Sequence, residues 1–525
     1  WELTARDSVG YHDALGSNMF LHVHRNEVVR GVPRDNEAVN ECWLSDRDRY
    51  SHEGLYAADR ATKPMLRDGD EWRIASWDEA LNATAEILQA NDVGVLVHPA
   101  TSNEEGASLA AFDFANIDHR LKQLDFADDA VAEPFAMSVA DIEKAKVVLI
   151  VGSNIRHEIP LIHQRLHKAN KRGQKVFVIN PVDFEFTFAL AGKQIVKPSL
   201  IAKTVSDVAN EKAALFEALK SAEGSAVILL GELAENSSQA SHIHAAVREL
   251  AAATSAKINR IPQGANAVGL VQQSVLPASG AKNACDMLAS AMPAYVLYGI
   301  EPQYDFANNA QALKSLSNSK VIAFTAFASE HLKSLAHVIL PIGLLPDLEA
   351  SLTNLDGTIQ FTSAAGKLPG EARAGWRVLR ALAEKLNLSG FDYTDLAGLR
   401  VQMKPQARQS GTGISSSTNE IAAGELERIV STPIYRGDAV LRRATSLNAH
   451  PLTHGAIAVL HPEEALARGI AEASIVKLGD GVGLAALPVK TSTRVPHGAI
   501  WIESGYEATA PMSATAGLSL VRAKS

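Results

Sequence analysis

The chain has 525 residues, 46% of them hydrophobic and 21% charged, with a net charge of −9. That length suggests about two to four domains, and an acidic balance without a basic run argues against nucleic acid as a partner. Cys42 and Cys285 are the only cysteines; two thiols exclude a disulfide framework and a four-thiolate cluster, and such sparse use fits a reducing, cytoplasmic compartment. No apolar run is long enough to cross a bilayer. The chain opens on Trp1 without a signal-peptide pattern, which reads as a fragment or a processed product.

Residues 1–60 are polar and irregular, and "MFLHVHRNEVVRGV" reads as a hairpin turning at Arg25-Asn26. "SWDEALNATAEILQAND" is a helix capped by Ser76. "VGVLVHP" (93–99) is a short buried strand, and "NEEGASLAAFDFANI" reads as a helix. "AKVVLIVGSN" (145–154), "EIPLIHQRLHKANKRG" and "QKVFVINP" (174–181) form strand, amphipathic helix and strand, a βαβ unit with the helix stopped at Gly173. Further strands at 225–231, 293–299 and 319–327 require more than one parallel sheet covered by helices. Residues 61–405 are therefore read as α/β lobes and 406–432, rich in Gly and Ser, as a linker. Residues 433–525 have short strands and one helical turn near 463–468, the pattern of a β-barrel.

"GSNIRHEIP" places Gly152, Ser153 and Asn154 between a strand and a helix start, where exposed N–H groups suit phosphate. It is neither a dinucleotide fingerprint nor a Walker loop, and a plain βα turn explains it more readily. Asn180, at the end of the next strand, stands where an acidic residue often holds a ribose hydroxyl. His163 and His167 share a helix face but lack a third ligand, and His22 and His24 share a strand face; both pairs read as structural. Asn354, Asp356 and Gly357 form a tight turn that could hold a ligand by its backbone. The glycines of "GDGVGLAAL" (479–487) read as barrel turns.

Together "DALGSN", "VPRDNEAVNECWLSDRDRYSHEGL", "VLIVGSNIRHEIPLIHQRLHKANKRGQKVFVINP", "ASEHLKSLAHVILP" and "TNLDGTIQ…GEARAGW" resemble the large iron–sulfur subunit of NADH:quinone oxidoreductase, the bacterial form of respiratory complex I. The middle blocks are shared with the wider molybdopterin oxidoreductase superfamily. The resemblance implies interleaved parallel-sheet α/β lobes, an N-terminal β region and a C-terminal double-psi β-barrel. The full-length subunit of that family carries one 2Fe–2S and two 4Fe–4S clusters in a preceding region, and their cysteine motifs are absent from this sequence. Some members hold a further four-iron cluster in the segment matching residues 1–50. Ser45 falls at its last ligand position, leaving Cys42 a bystander, so no cofactor is expected in this segment.

Catalytic superfamily members place Cys, selenocysteine or Ser on molybdenum; the matching region here offers only Ser138. Where relatives often read "IDPR", this chain reads "INPV". The resemblance thus implies a non-catalytic scaffold with complex I peripheral-arm partners, including the FMN/NADH-binding subunit. It would sit peripherally on the cytoplasmic face of a bacterial inner membrane, without inserting. A formate dehydrogenase-like molybdoenzyme and a pterin- or nucleotide-binding module without redox chemistry are the alternatives.

Overall fold

A computed structural model describes residues 2–212, 214–411, 425–479, 483–514 and 517–522. The first three strands, β1 (Thr4–Val9), β2 (Asn18–His24) and β3 (Glu27–Pro33), form an antiparallel sheet. Arg25 and Asn26 both have positive φ, +50° and +69°, which matches a hairpin turn to the strand twist at the expected place.

Strands β4 (Met65–Asp68), β5 (Glu71–Ile74), β6 (Val93–Val97) and β7 (Asn116–Asp118) begin a seven-stranded sheet. The helix Trp77–Ala90 enters it through a capping box between Ser76 and Glu79, as the sequence suggests. The helix beginning at Asn103 is shorter than expected and stops at Ala110. Beyond its end Asp113 takes φ +58°, a turn that leads Asn116–Asp118 into parallel pairing with β6.

The chain then builds a second sheet from β8 (Val147–Val151), β9 (Lys175–Asn180), β10 (Gly192–Ile195), β11 (Ala226–Leu230) and β12 (Lys257–Arg260). Its order is β10-β9-β8-β11-β12, parallel throughout. All five residues of β8 and of β11 are buried, as strands covered on both faces must be. β13 (Ala294–Tyr298), β14 (Lys320–Thr325) and β15 (Val338–Pro341) return to the first sheet, giving the order β5-β4-β15-β14-β13-β6-β7. This excursion and return interleaves the lobes. A hairpin of β16 (Ala350–Thr353) and β17 (Ile359–Thr362) follows.

The closed barrel is built from β18 (Leu426–Ile429), β19 (Ala458–Leu460), β20 (Ile475–Gly479), β21 (Leu484–Thr491), β22 (Ala499–Trp501) and β23 (Gly517–Arg522). β18 pairs in parallel with β22, and β19 with β21, the crossed pairing of a double-psi barrel. β18 lies inside the stretch 406–432 read as a linker, so the barrel claims residues from that stretch. Residues 412–424 of the same stretch, and Gly481 of the glycine run, lie outside the described residues. Among the described residues no helix is long and apolar enough to cross a membrane.

Candidate functional site

The C-terminal ends of the parallel strands in both lobes meet at a crevice, the usual ligand position in such sheets. A cavity of about 170 Å³ lies there, walled by His98 after β6, Glu158 after β8, Glu232 and Glu235 after β11, and Arg260 at the end of β12. A second cavity, of about 110 Å³, opens towards the barrel. Lys122, Glu232, Asn236 and Thr432 line both and form the wall between them.

The turn after β8 is closed by its own chain. Gly152 takes φ +61°; a Cβ there would stand 2.6 Å from the Ala234 nitrogen, so only glycine lets the helix Glu232–Glu235 approach. Asn180 Oδ1 accepts from the Ser153 N–H at 2.8 Å, while its Nδ2 donates to the Ser153 carbonyl at 2.9 Å. Ser153 Oγ donates to Glu158 Oε2 at 2.6 Å, and the Glu232 N–H donates to Glu158 Oε1 at 2.9 Å. Ser153, Asn154 and Asn180 are all buried. The four residues singled out as a phosphate or ribose site are thus brought together, but the Asn180 side chain is spent on the Ser153 backbone and the Ser153 hydroxyl on Glu158.

Electrostatics in the crevice divide into paired and unpaired groups. Arg260 Nη2 meets Glu235 Oε2 at 2.6 Å, and His244 lies between Glu235 and Asp128. Burial would raise the Glu235 carboxyl, but Arg260 and His244 overcome it and hold it at about 2. Arg442 joins Glu301 at 2.8 Å and Asp305 at 2.9 Å; Arg443 joins Asp59 at 2.6 Å and Glu301 at 2.7 Å. His12 bridges Asp438 and Ser51, each at 2.7 Å.

By contrast, burial and the neighbouring Glu232 push Glu158 up to about 8, and the same two causes push Glu503 up to about 8. Burial also raises Glu232, with Lys122 opposing the rise. Lys122 donates to Thr432 Oγ1 at 3.1 Å, and its burial lowers its basicity despite the attraction of Glu232 and Asp305. Burial, with Arg156 second, pulls His157 down to about 4. The crevice therefore combines ion-paired groups with carboxyls that burial shifts towards the neutral form, and a desolvated lysine stands at its dividing wall.

Other sequence candidates fall elsewhere. Ser138 is exposed, and its Oγ accepts from the Asp141 N–H at 3.2 Å, outside the walls of either cavity. Cys42 and Cys285 are exposed and line neither cavity. Ser45 is buried and caps the helix Asp46–Tyr50, its Oγ donating to Asp48 Oδ2 at 2.8 Å. His163 packs against Phe186 and Phe188, and burial lowers it to about 4. His167 meets Thr187 Oγ1 at 2.8 Å. His22 accepts from Arg30 Nε at 3.1 Å, and His24 faces Glu2.

In the Asn354–Gly357 turn, the Leu355 N–H donates to the Ala14 carbonyl at 2.8 Å and the Leu355 carbonyl accepts from Phe135 N–H at 2.7 Å. Asn354 Oδ1 accepts from Thr358 N–H at 2.9 Å. This turn docks the hairpin to the chain itself. Glu158, Glu232 and Lys122 were not singled out from the sequence. The signal for Glu232 is its place directly after the all-apolar β11, at a parallel strand's C-terminal end.

The molybdopterin oxidoreductase profile matches residues 60–385. A profile described as the NADH-ubiquinone oxidoreductase NDSU1/NuoG-like 4Fe-4S domain matches residues 3–53. That match corrects the expectation of a segment without a cofactor domain. Cys42 is the one thiol in those residues, against the four thiolates that usually hold a 4Fe–4S cluster, so the side chains present do not fit an all-cysteine cluster.

The NADH-ubiquinone oxidoreductase 75 kDa subunit of Reclinomonas americana is 25% identical over 422 residues, covering 74% of this chain and 58% of that protein. The mitochondrial NADH dehydrogenase [ubiquinone] iron-sulfur protein 1 of Solanum tuberosum is 26% identical, covering 84% of this chain and 60% of that protein. The chain thus spans well under two thirds of these relatives' length. Among solved structures, acetylene hydratase from Pelobacter acetylenicus superposes with a TM-score of 0.68 at 15% identity, covering 95% of this chain and 92% of that one, a likeness of fold.

Proposed function

The chain belongs to the molybdopterin oxidoreductase family, and from that premise we propose that it is a non-catalytic scaffold, part of a complex I peripheral-arm subunit. The full-length subunit would relay electrons from NADH and FMN through iron–sulfur clusters towards quinone, on the cytoplasmic face of a bacterial inner membrane. Its neighbours would be other peripheral-arm subunits, including the one that binds FMN and NADH. The relatives named NADH-ubiquinone oxidoreductase subunits support this reading.

The observation that carries it is the self-closure of the ancestral crevice. Asn180 takes the Ser153 N–H, one of the donors that the turn would present to a phosphate, and returns a hydrogen bond to the Ser153 carbonyl. The cavities, about 170 and 110 Å³, are small against the roughly 300–1,000 Å³ of ordinary ligand pockets. Neither is lined by a thiol or by Ser138. These residues do not fit a bound molybdopterin. The Arg442 and Arg443 network ties Asp59, Glu301 and Asp305 across the same region. Such cross-linking suits a part whose task is to hold fixed distances between electron carriers.

The test is molybdenum and pterin content of the purified chain. Neither at stoichiometric level is the expected result. Molybdenum near one per chain would overturn the scaffold reading in favour of a molybdoenzyme, and pterin without molybdenum would favour a binding module.

A further inference from the structure

We infer that the C-terminal barrel carries a surface site for a divalent transition-metal ion of the zinc class, formed by His461, Glu463 and His497. One ligand atom from each side chain lies within 4.8 Å of the other two. His497 Nε2 and Glu463 Oε2 are 3.3 Å apart. Zinc bonds of about 2.0–2.1 Å in a tetrahedron set ligand atoms about 3.3–3.4 Å from one another, so this edge is already at its bound length. The two imidazole rings lie with centroids 3.9 Å apart, tilted by 40°, nearer than the about 5 Å of two rings on one tetrahedral ion, so one ring must swing aside as the ion enters. Two imidazoles and a carboxylate are a donor set that zinc takes readily, with the remaining position left to water.

Local structure holds the segments that carry the three groups independently of any metal. His461 follows β19 and caps the helix Pro462–Ala467, which carries Glu463. His497 lies in the connection between β21 and β22, between Pro496 and Gly498. That connection is pinned to the helix by the Gly498 N–H, which donates to Glu464 Oε2 at 3.2 Å. The nearby cations are already engaged: Lys197 with Glu427 at 2.8 Å and Arg468 with Glu464 at 2.7 Å.

His461 Nδ1 accepts from the Glu463 N–H at 3.3 Å. Metal on Nδ1 would take that lone pair, and metal on Nε2 would put the proton on Nδ1. Either choice gives up one long hydrogen bond at a helix start open to water. The ion would clip the helix to the connection, joining segments 36 residues apart in sequence (497 − 461).

The experiment is calorimetric titration of the whole chain with zinc after chelation, repeated with cobalt(II) for its visible spectrum. Wild type should bind one zinc at this site and give the intense bands of a tetrahedral cobalt centre. H497A should bind at least about tenfold more weakly and lose the bands. E463Q alters an exposed side chain and leaves the fold intact, so it separates ligation from misfolding and should weaken binding too. H331A, whose ring faces Glu507 elsewhere, should bind as wild type does. Zinc binding that is absent in wild type, or equal in wild type, H497A and E463Q, would overturn the inference.

Discussion

Asn180 is the residue whose replacement reports most directly on the closed crevice. It is 1% exposed and makes two hydrogen bonds, to the N–H and to the carbonyl of Ser153. Asn180→Ala removes both partners while leaving the two backbone groups buried. Each of the two backbone groups left buried without a partner costs about 1–3 kcal/mol, so a local loss of about 2–6 kcal/mol is expected. At about 1.4 kcal/mol per tenfold, the Ser153 amide should exchange its hydrogen about 30- to 20,000-fold faster than in wild type.

Asn180→Asp sharpens the test. One carboxyl oxygen can still accept from Ser153 N–H, but the other must face a carbonyl oxygen and needs a proton to do so. This acid should therefore titrate above its unfolded value of about 3.9. Protection relative to wild type should be nearly retained near pH 4 and fall as pH rises, because the unfolded chain releases the proton first. The alanine variant should show no such trend. Native-state hydrogen exchange read by mass spectrometry across residues 147–158 measures both. Exchange at Ser153 within about threefold of wild type in Asn180→Ala would refute the claim that this pair holds the turn closed.

Glu158 titrates at about 8 in the fold, above the ordinary carboxyl value, so its contribution to stability declines as pH rises from about 4.3 to about 8. Glu158→Gln should remove that decline: thermal melts should match wild type near pH 4 and lie higher at pH 8. Gly152→Ala would put a methyl 2.6 Å from the Ala234 nitrogen at φ +61°. Overpacking of about 1–3 kcal/mol plus about 1–2 kcal/mol for the left-handed backbone should lower the melting temperature and expose the Leu233 amide to exchange. Arg47 pairs with Asp13 within the N-terminal region at 2.5 Å and joins that region to the second lobe through the carbonyls of His157 and Glu158 at 3.1 and 2.6 Å. Arg47→Ala, costing about 3–5 kcal/mol as a broken buried pair, should make residues 2–56 more susceptible to limited proteolysis without unfolding the barrel.

The sequence by itself determined the elements that depend on local chemistry. Arg25-Asn26 between alternating strands specified a hairpin, Ser76 with Glu79 specified a helix start, and unbroken runs such as "VVLIV" specified strands covered on both faces. It missed features that only distant partners create. The helix after Asn103 ends early because Asn116–Asp118 finds an edge to pair with on β6. "LERI" becomes a barrel strand because β22 and β23 flank it.

The candidate site divides the same way. Gly152, Ser153, Asn154 and Asn180 were legible as the ends of adjacent strands, since strand ends are visible in apolar patterning. Tertiary structure alone decided that Asn180 turns its amide onto Ser153, that Ser138 stands outside the crevice, and that Glu158, Glu232 and Lys122 line one cavity. It also brought His497 beside His461 and Glu463, because a crossed barrel connection returns to the helix it left. Spacing along a chain encodes what neighbours within a few residues can do; burial and charge proximity depend on chain crossings that no short stretch of sequence contains.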